Sequence, residues 1–173
     1  MLMSKNETFF VRLVSALICM TPVYGEITVG LLSEIESNAK QNLLHRNILI
    51  PCEPFGVVTL EKMIRNSASP QECRSEIEHF YKVHPHDKQF AREHLYLQHS
   101  YHYEMIKEGC ILYGNGAESY SEMLLRQGLA VIDPVFNNQE WNGRLQRAQK
   151  GAESLKSGLH DTLIRKFCIK EEK

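Results

Sequence analysis

Side chains that can cross-link, ligate a metal or stack on a base are dense in this chain, and each kind carries its own spacing. Cysteines stand at positions 19, 52, 73, 110 and 168. No Cys-x-x-Cys pair occurs, which argues against a zinc ribbon or a thioredoxin-type redox site. Cys19 lies in an apolar N-terminal stretch. The other four, Cys52, Cys73, Cys110 and Cys168, are an even set that an exported chain would oxidise to two disulfides. Three pairings are open, and Cys52–Cys73, which closes the shortest loop between neighbours, is the first to test. His84, His86, His94, His99 and His102 crowd one segment. Metal binding would need helical i,i+4 pairs or a carboxylate in a recognised motif, and neither is present. The histidines are therefore expected on surface or half-buried faces. Tyr96, Tyr101 and Tyr103 can stack bases in single-strand-binding barrels. Without a basic stripe beside them, core or cross-strand packing is the expectation.

The elements that would position these groups are best marked late in the chain. Ser119 and Glu122 form a capping box, which satisfies two orphan backbone donors at a helix start. Glu122 and Arg126 are spaced i,i+4 and can pair on the helix surface. Gly128 sits where a helix takes a left-handed stop, and Leu129–Ile132 reads as a strand entering a core. Trp141, Leu145, Ala148, Ala152 and Leu155 follow at spacings of four, three, four and three, one apolar stripe on a helix. Gly158-Leu159 ends it.

Earlier elements are shorter. Ile27, Val29 and Leu31 alternate, predicting a strand over 26–32. Residues 33–41 are polar, with a turn at Ser37-Asn38. Leu43-Leu44 and Ile48–Ile50 predict further strand ending at Pro51; a helix over 31–45 fits Leu31, Ile35, Ala39 and Leu43 equally well. Residues 56–66 read as a short helix. Ser69-Pro70 with Glu72 starts another, running to about Val83. His84-Pro85-His86 breaks it, and Asp87 caps a helix to about Leu97. Tyr101–Ile106 and Cys110–Tyr113 alternate as strands, with a tight-turn signal at Asn115-Gly116. This order suits an α+β fold: a five-stranded, partly open OB-type β-barrel with packed helices.

The stretch Ser-Tyr-Ser-Glu-Met-Leu-Leu-Arg-Gln-Gly-Leu-Ala at 119–130 resembles the late helix-and-strand segment of the staphylococcal (thermonuclease-like, SNase) nuclease family. The stripe from Trp141 to Leu155 and its Gly158-Leu159 stop resemble that family's last helix. The likeness is clear over about residues 109–160. It implies an SNase-like OB-fold over residues 26–160, with residues 56–84 as a helical insertion that enlarges the helical layer, and a C-terminal tail over 161–173.

The resemblance also implies where chemistry would sit. Metal-assisted phosphodiester hydrolysis needs carboxylates around a hard cation, an activated water, and cationic donors for charge on the phosphoryl oxygens. Glu34-Ile35-Glu36-Ser37 falls where the family has its Asp-Gly-Asp-Thr turn, so Glu34 and Glu36 are the metal candidates. His45-Arg46-Asn47-Ile48-Leu49-Ile50 resembles the arginine-bearing strand, so Arg46 matches the first arginine. Pro51-Cys52-Glu53-Pro54 stands in place of Asp-Thr-Pro-Glu, leaving Glu53 as a candidate. Lys107 falls at the second arginine and lacks its bidentate fork. No Asp occurs before Asp87, so both metal-binding Asp positions of the family are empty.

Composition bounds the rest. A chain of 173 residues, 43% hydrophobic and 24% charged, fits one globular domain. A formal net charge of −1 gives no global attraction to nucleic acid. Residues 1–25 read as a secretory signal: Lys5 and Arg12 supply positive charge, Phe9–Met20 is apolar, and Val23-Tyr24-Gly25 suits cleavage. The apolar run is too short for an ordinary span of about 20 residues.

Together these readings describe an exported, secreted or periplasmic, disulfide-stabilised SNase-like domain. Its family site is degenerate, and it works as a binding or structural module with a protein partner of a bacterial envelope. No cofactor is expected. The alternative is a divergent secreted nuclease that uses calcium, acts on DNA or RNA, and relies on Glu36, Glu53, Arg46 and Lys107. Native exported material should begin at Glu26 by mass spectrometry; an intact Met1 would overturn the export reading.

Overall fold

A computed structural model describes residues 26–107, 109–160 and 162–169. The signal expected over residues 1–25 lies outside them. The fold is mixed α+β. Strands β1 (Thr28–Ser37), β2 (Lys40–His45) and β3 (Ile48–Cys52) form a meander. A short strand β4 (Val57–Thr59) leads into α1 (Leu60–Asn66) and α2 (Pro70–Val83). Two short helices follow, α3 (Pro85–Lys88) and α4 (Phe90–His94). The chain returns as β5 (Ser100–Ile106), β6 (Gly109–Asn115) and β7 (Glu118–Ser119). It ends through α5 (Tyr120–Gln127), β8 (Ala130–Ile132), α6 (Gln139–Leu155), a 3-10 turn at Gly158–His160 and α7 (Thr162–Cys168).

Six strands form an antiparallel sheet in the order β3-β2-β1-β5-β6-β7, and β4 pairs with β8 separately. The far strands of the large sheet approach each other at one point. Pro54 and Cys110 form a parallel bridge just beyond β3, and the Cys110 N–H donates to the Glu53 carbonyl at 3.2 Å.

β1 is longer than its alternation predicts, and the reason is a bulge. Leu32 and Ile35 are both buried, yet three residues apart they should face opposite sides of a pleat. The pairing with β2 slips between Leu32 and Glu34, and that extra residue returns Ile35 to the core side. So the polar residues 33–37 are strand rather than turn, and the reversal is at Asn38-Ala39. The helix alternative over 31–45 is not adopted. The segment expected to be helical from Gly56 begins instead with β4, because Val57–Thr59 pairs with Ala130–Ile132.

The late elements match their local signals. Ser119 and Glu122 make both bonds of the capping box, and Gly128 ends α5 at φ 75°. Ser69 precedes Pro70 at the start of α2 but makes no side-chain cap. Asp87 likewise caps nothing: it lies inside α3, and α4 starts separately after Gln89.

The core holds Leu124, Leu129, Trp141 and Leu145, as their spacing predicts, with Val131 half-buried. Leu155 departs from the stripe and is 77% exposed. The helix stops at Leu155 with Lys156 left-handed at φ 51°, the chain turns, and Leu159 takes the buried position. Gly128 and Gly158 enforce that turn. The Leu159 N–H donates to the Gly128 carbonyl at 2.8 Å. A Cβ on Gly158 would lie 2.1 Å from that oxygen, and one on Gly128 2.2 Å from the Ser157 oxygen. Only hydrogen fits between the two strands of backbone.

The disulfides are Cys52–Cys110 and Cys73–Cys168. The shortest-loop pairing Cys52–Cys73 is thereby corrected: β3 and β6 meet at one staple, while α2 and α7 meet at the other. Within the tail over 161–173, whose Cys168 predicts a tether, α7 packs against α2 with Ile164 and Cys168 buried. The bridges span 58 and 95 residues, which in the chain-entropy model is about 4 and about 5 kcal/mol taken singly. They interlock, so the two do not simply add. Among the described residues no helix is long and apolar enough to cross a membrane.

Leu145→Ala should cost about 2–5 kcal/mol in denaturant unfolding, whereas Leu155→Ala should change stability by less than about 0.5 kcal/mol. Equal losses would show that α6 buries a different face.

Candidate functional site

The outer face of β1 and β2 gathers the acidic candidates. Glu34 and Glu36 are exposed on β1, and Glu34 lies opposite Asn42 of β2. The Asn42 amide donates to Glu34 Oε2 at 2.9 Å and to Glu36 Oε1 at 2.8 Å. Lys40 Nζ sits 2.8 Å from Glu36 Oε1. Hydrogen bonds from Lys40 and then Asn42 hold the Glu36 carboxyl below its usual range. The Lys40 ammonium is held above its usual range chiefly by its bond to Glu36, with Glu53 and Glu34 adding attraction. Glu53, just past β3, pairs with Lys62 of α1 at 2.7 Å. Three acids thus approach one lysine, and each has a donor already in contact.

Of the cationic candidates, Arg46 stands apart from that cluster. Arg46 is not on a strand: with Asn47 it forms the β2–β3 turn, both at positive φ (48° and 64°). Leu44 is in register with Leu31, so this turn lies at the opposite end of β1 from Glu36, roughly 15–20 Å away along the strand. That exceeds the reach of one phosphate group between them. Lys107 is exposed in the β5–β6 turn, three residues before Cys110 and hence on the Glu53 side.

The acids do not fit a calcium site as they stand. Calcium takes six to eight oxygens, and the donors nearest Glu34 and Glu36 are an amide nitrogen and an ammonium. The described residues contain no group of three or more His, Cys, Asp or Glu side chains able to share a metal ion.

The histidine-rich segment is dispersed by its packing. His84 packs tilted against Phe80 and His94 stacks on Phe90, His86 contacts Glu93 at 2.7 Å, and His99 leans on Tyr96. Tyr103 is buried, and the Tyr101 hydroxyl accepts from the Tyr96 N–H at 2.7 Å. Only Tyr96 of the three tyrosines offers an open ring, at 61% exposed.

A second polar site carries no signal in the sequence. A cleft of about 410 Å³ opens between the β1–β2 turn and the helical layer, lined by Asn38, Glu61, Tyr81, Lys88 and Arg92 among others. The Tyr81 hydroxyl donates to Glu61 Oε1 at 2.9 Å. Burial pushes the Tyr81 phenol far above its usual range, and the neighbouring Glu61 charge pushes further. Glu61 and Tyr81 are twenty residues apart on two helices, so no local pattern could link them.

The strongest polar node is Glu122, and it is structural. Arg144 donates from Nε to Oε1 at 3.0 Å and from Nη2 to Oε2 at 2.7 Å, a bidentate fork. The Ser119 N–H and hydroxyl donate to Oε2 at 2.9 and 2.8 Å. Nη2 also reaches the Ala117 carbonyl at 2.6 Å, and the guanidinium lies 4.1 Å over the Trp141 ring. The expected Glu122–Arg126 pair is therefore not made. Glu122 points inward to α6, and Arg126 pairs with Glu118 instead.

Burial alone would push the Glu122 carboxyl up; the bonds from Arg144 and Ser119 outweigh it, and the net direction is down. A depressed folded-state value means that its contribution is complete above the unfolded carboxylate range and lost as pH falls through the folded value. Glu122→Gln should cost about 1–3 kcal/mol at neutral pH and flatten the acid limb of stability below about pH 4.5. An unchanged acid limb would mean that other carboxylates carry it.

No protein-family model matches the chain, and no curated protein matches it.

Proposed function

We propose that this chain is an exported domain of the SNase-like OB type whose family catalytic site is degenerate, and that it works as a binding or structural module in an envelope or secreted setting. One observation carries the reading. The side chains that would have to converge on one phosphate are divided between the two ends of β1, with the acids already engaged by Asn42, Lys40 and Lys62.

The OB assignment draws support from strand order. A three-stranded meander, a return strand beside β1 and a fourth pairing partner leave β3 and β6 to meet. Their parallel contact at Pro54 and Cys110, with the Cys52–Cys110 bridge beside it, is how such a sheet would close. Two disulfides agree with an oxidising compartment.

The deciding measurement is cleavage of single- and double-stranded DNA and RNA by purified exported protein with calcium. No cleavage above contamination is expected, and Lys107→Arg should not create any. Loss of a single transition-state donor costs about 10²–10³ in rate, and the displaced arginine compounds it. Calcium-dependent cleavage that collapses in both Arg46→Ala and Glu36→Gln, with the fold intact, would make the chain a nuclease instead.

A further inference from the structure

We propose that Asn115 is a site of spontaneous covalent modification, converting to isoaspartate and aspartate through a succinimide formed with Gly116, and that the fold spares the chain's other Asn-Gly pair. The co-reactant is water. The inference goes beyond the proposed function and does not depend on it.

Asn-Gly occurs twice, at Asn115-Gly116 and at Asn142-Gly143. The chemistry open to both is the same. The glycine backbone nitrogen attacks the asparagine Cγ and a C–N bond forms. The side-chain nitrogen leaves as ammonia, taking the proton that the glycine nitrogen gives up. Water then opens the five-membered imide. Opening at Cγ gives aspartate; opening at the main-chain carbonyl gives isoaspartate, in which the chain runs on through Cγ. Nothing is oxidised or reduced. Glycine suits the step because no Cβ shields its nitrogen and its backbone turns freely. The step needs a glycine N–H that no acceptor holds, room for the ring, and a backbone that can rotate.

Asn115 meets all three needs. It ends β6, and Gly116-Ala117 is the two-residue link to β7, with Asn115, Gly116 and Ala117 all exposed. Among the described residues no carbonyl accepts the Gly116 N–H. Gly116 stands at φ 60°, and a Cβ there would meet nothing within 4 Å. The hairpin is held lightly: β7 has two residues, and its pairing with β6 slips between Tyr113 and Asn115. Such a short pairing opens at the low end of the local-unfolding scale.

Asn142 fails on the first and third. It lies in the second turn of α6, where the helical pattern commits the Gly143 N–H to the Gln139 carbonyl. The Asn142 N–H donates to the Asn138 carbonyl at 2.9 Å, and Oδ1 accepts from Gln146 Nε2 at 3.4 Å. Trp141 and Leu145 on either side are buried. Freeing this backbone means lifting α6 from the core.

Modification at Asn115 puts a carboxylate on the hairpin tip and, in the isoaspartyl form, one more methylene in the main chain. Ala117, two residues on, gives its carbonyl to Arg144 Nη2 at 2.6 Å. The lengthened link therefore bears on the arginine that holds Glu122.

The test is to hold the purified folded protein at mildly alkaline pH, digest it, and read both peptides by mass spectrometry with electron-transfer fragmentation, which separates isoaspartate from aspartate. Asn115 should convert at least about tenfold faster than Asn142, a factor that about 1.4 kcal/mol of helix opening already supplies. In denaturant with reductant the two should convert at similar rates, which removes neighbouring sequence as the cause. Asn115→Gln, whose side chain would have to close a larger ring, should remove most of the acidic variant that accumulates on isoelectric focusing of the parent. Equal rates in the folded protein would overturn the proposal. So would a folded rate at Asn115 far below its rate in denaturant, or a product free of isoaspartate, which would mean direct hydrolysis. No outcome involves nucleic acid, so this proposal and the binding-module reading fail separately.

Discussion

The carboxylate of Glu122 is the point on which the late half of this fold turns. It closes the capping box of α5, takes both arms of Arg144 from α6, and through Arg144 reaches the Ala117 carbonyl before β7. A buried carboxylate with fewer partners would favour its neutral form or an unfolded chain. Here four donors meet it, so α5, α6 and the β6–β7 turn are fixed relative to one another by one side chain. The Trp141 ring under Arg144 then packs edge-on against Phe55, which ties the same node to the loop after β3.

Around that node the chain closes by covalent and steric means. Cys52–Cys110 joins β3 and β6, which the antiparallel pairing separates by three strands. Cys73–Cys168 holds the short α7 against α2; seven residues of helix would be marginal alone. Gly128 and Gly158 let two backbones touch where no Cβ fits, and this contact turns the chain from α6 into α7.

The acidic candidates illustrate how a constellation can be near in space and still be occupied. Glu34, Glu36 and Glu53 share the neighbourhood of Lys40, yet Asn42, Lys40 and Lys62 bind their oxygens. A hard cation would have to displace these donors and recruit more oxygen. The same face is apolar at its other end, so one sheet surface carries two chemistries separated by the length of β1.

Local signals in the sequence were sufficient at several places where backbone needs dominate, though the Ser69 and Asp87 caps are not made. The capping box, the left-handed Gly128, the Pro70 helix start and the 141–152 stripe are each decided within a few residues, because orphan N–H groups, positive φ and helical periodicity act over one or two turns. The sequence also marked which cysteines could pair, but only the fold chose Cys52 with Cys110 and Cys73 with Cys168, since pairing depends on which distant strands and helices touch. The bulge in β1 hid half a strand from its alternation. Leu155 fits the stripe by angle and is exposed because the helix ends there. Glu122 looked toward Arg126 at i,i+4 and met Arg144, whose planar fork and partial burial outcompete a solvent-exposed pair. The separation of Arg46 from Glu36, and the meeting of Glu61 with Tyr81, were likewise settled by tertiary structure: in both cases strand register and helix packing, not spacing along the chain, set the distance between the groups.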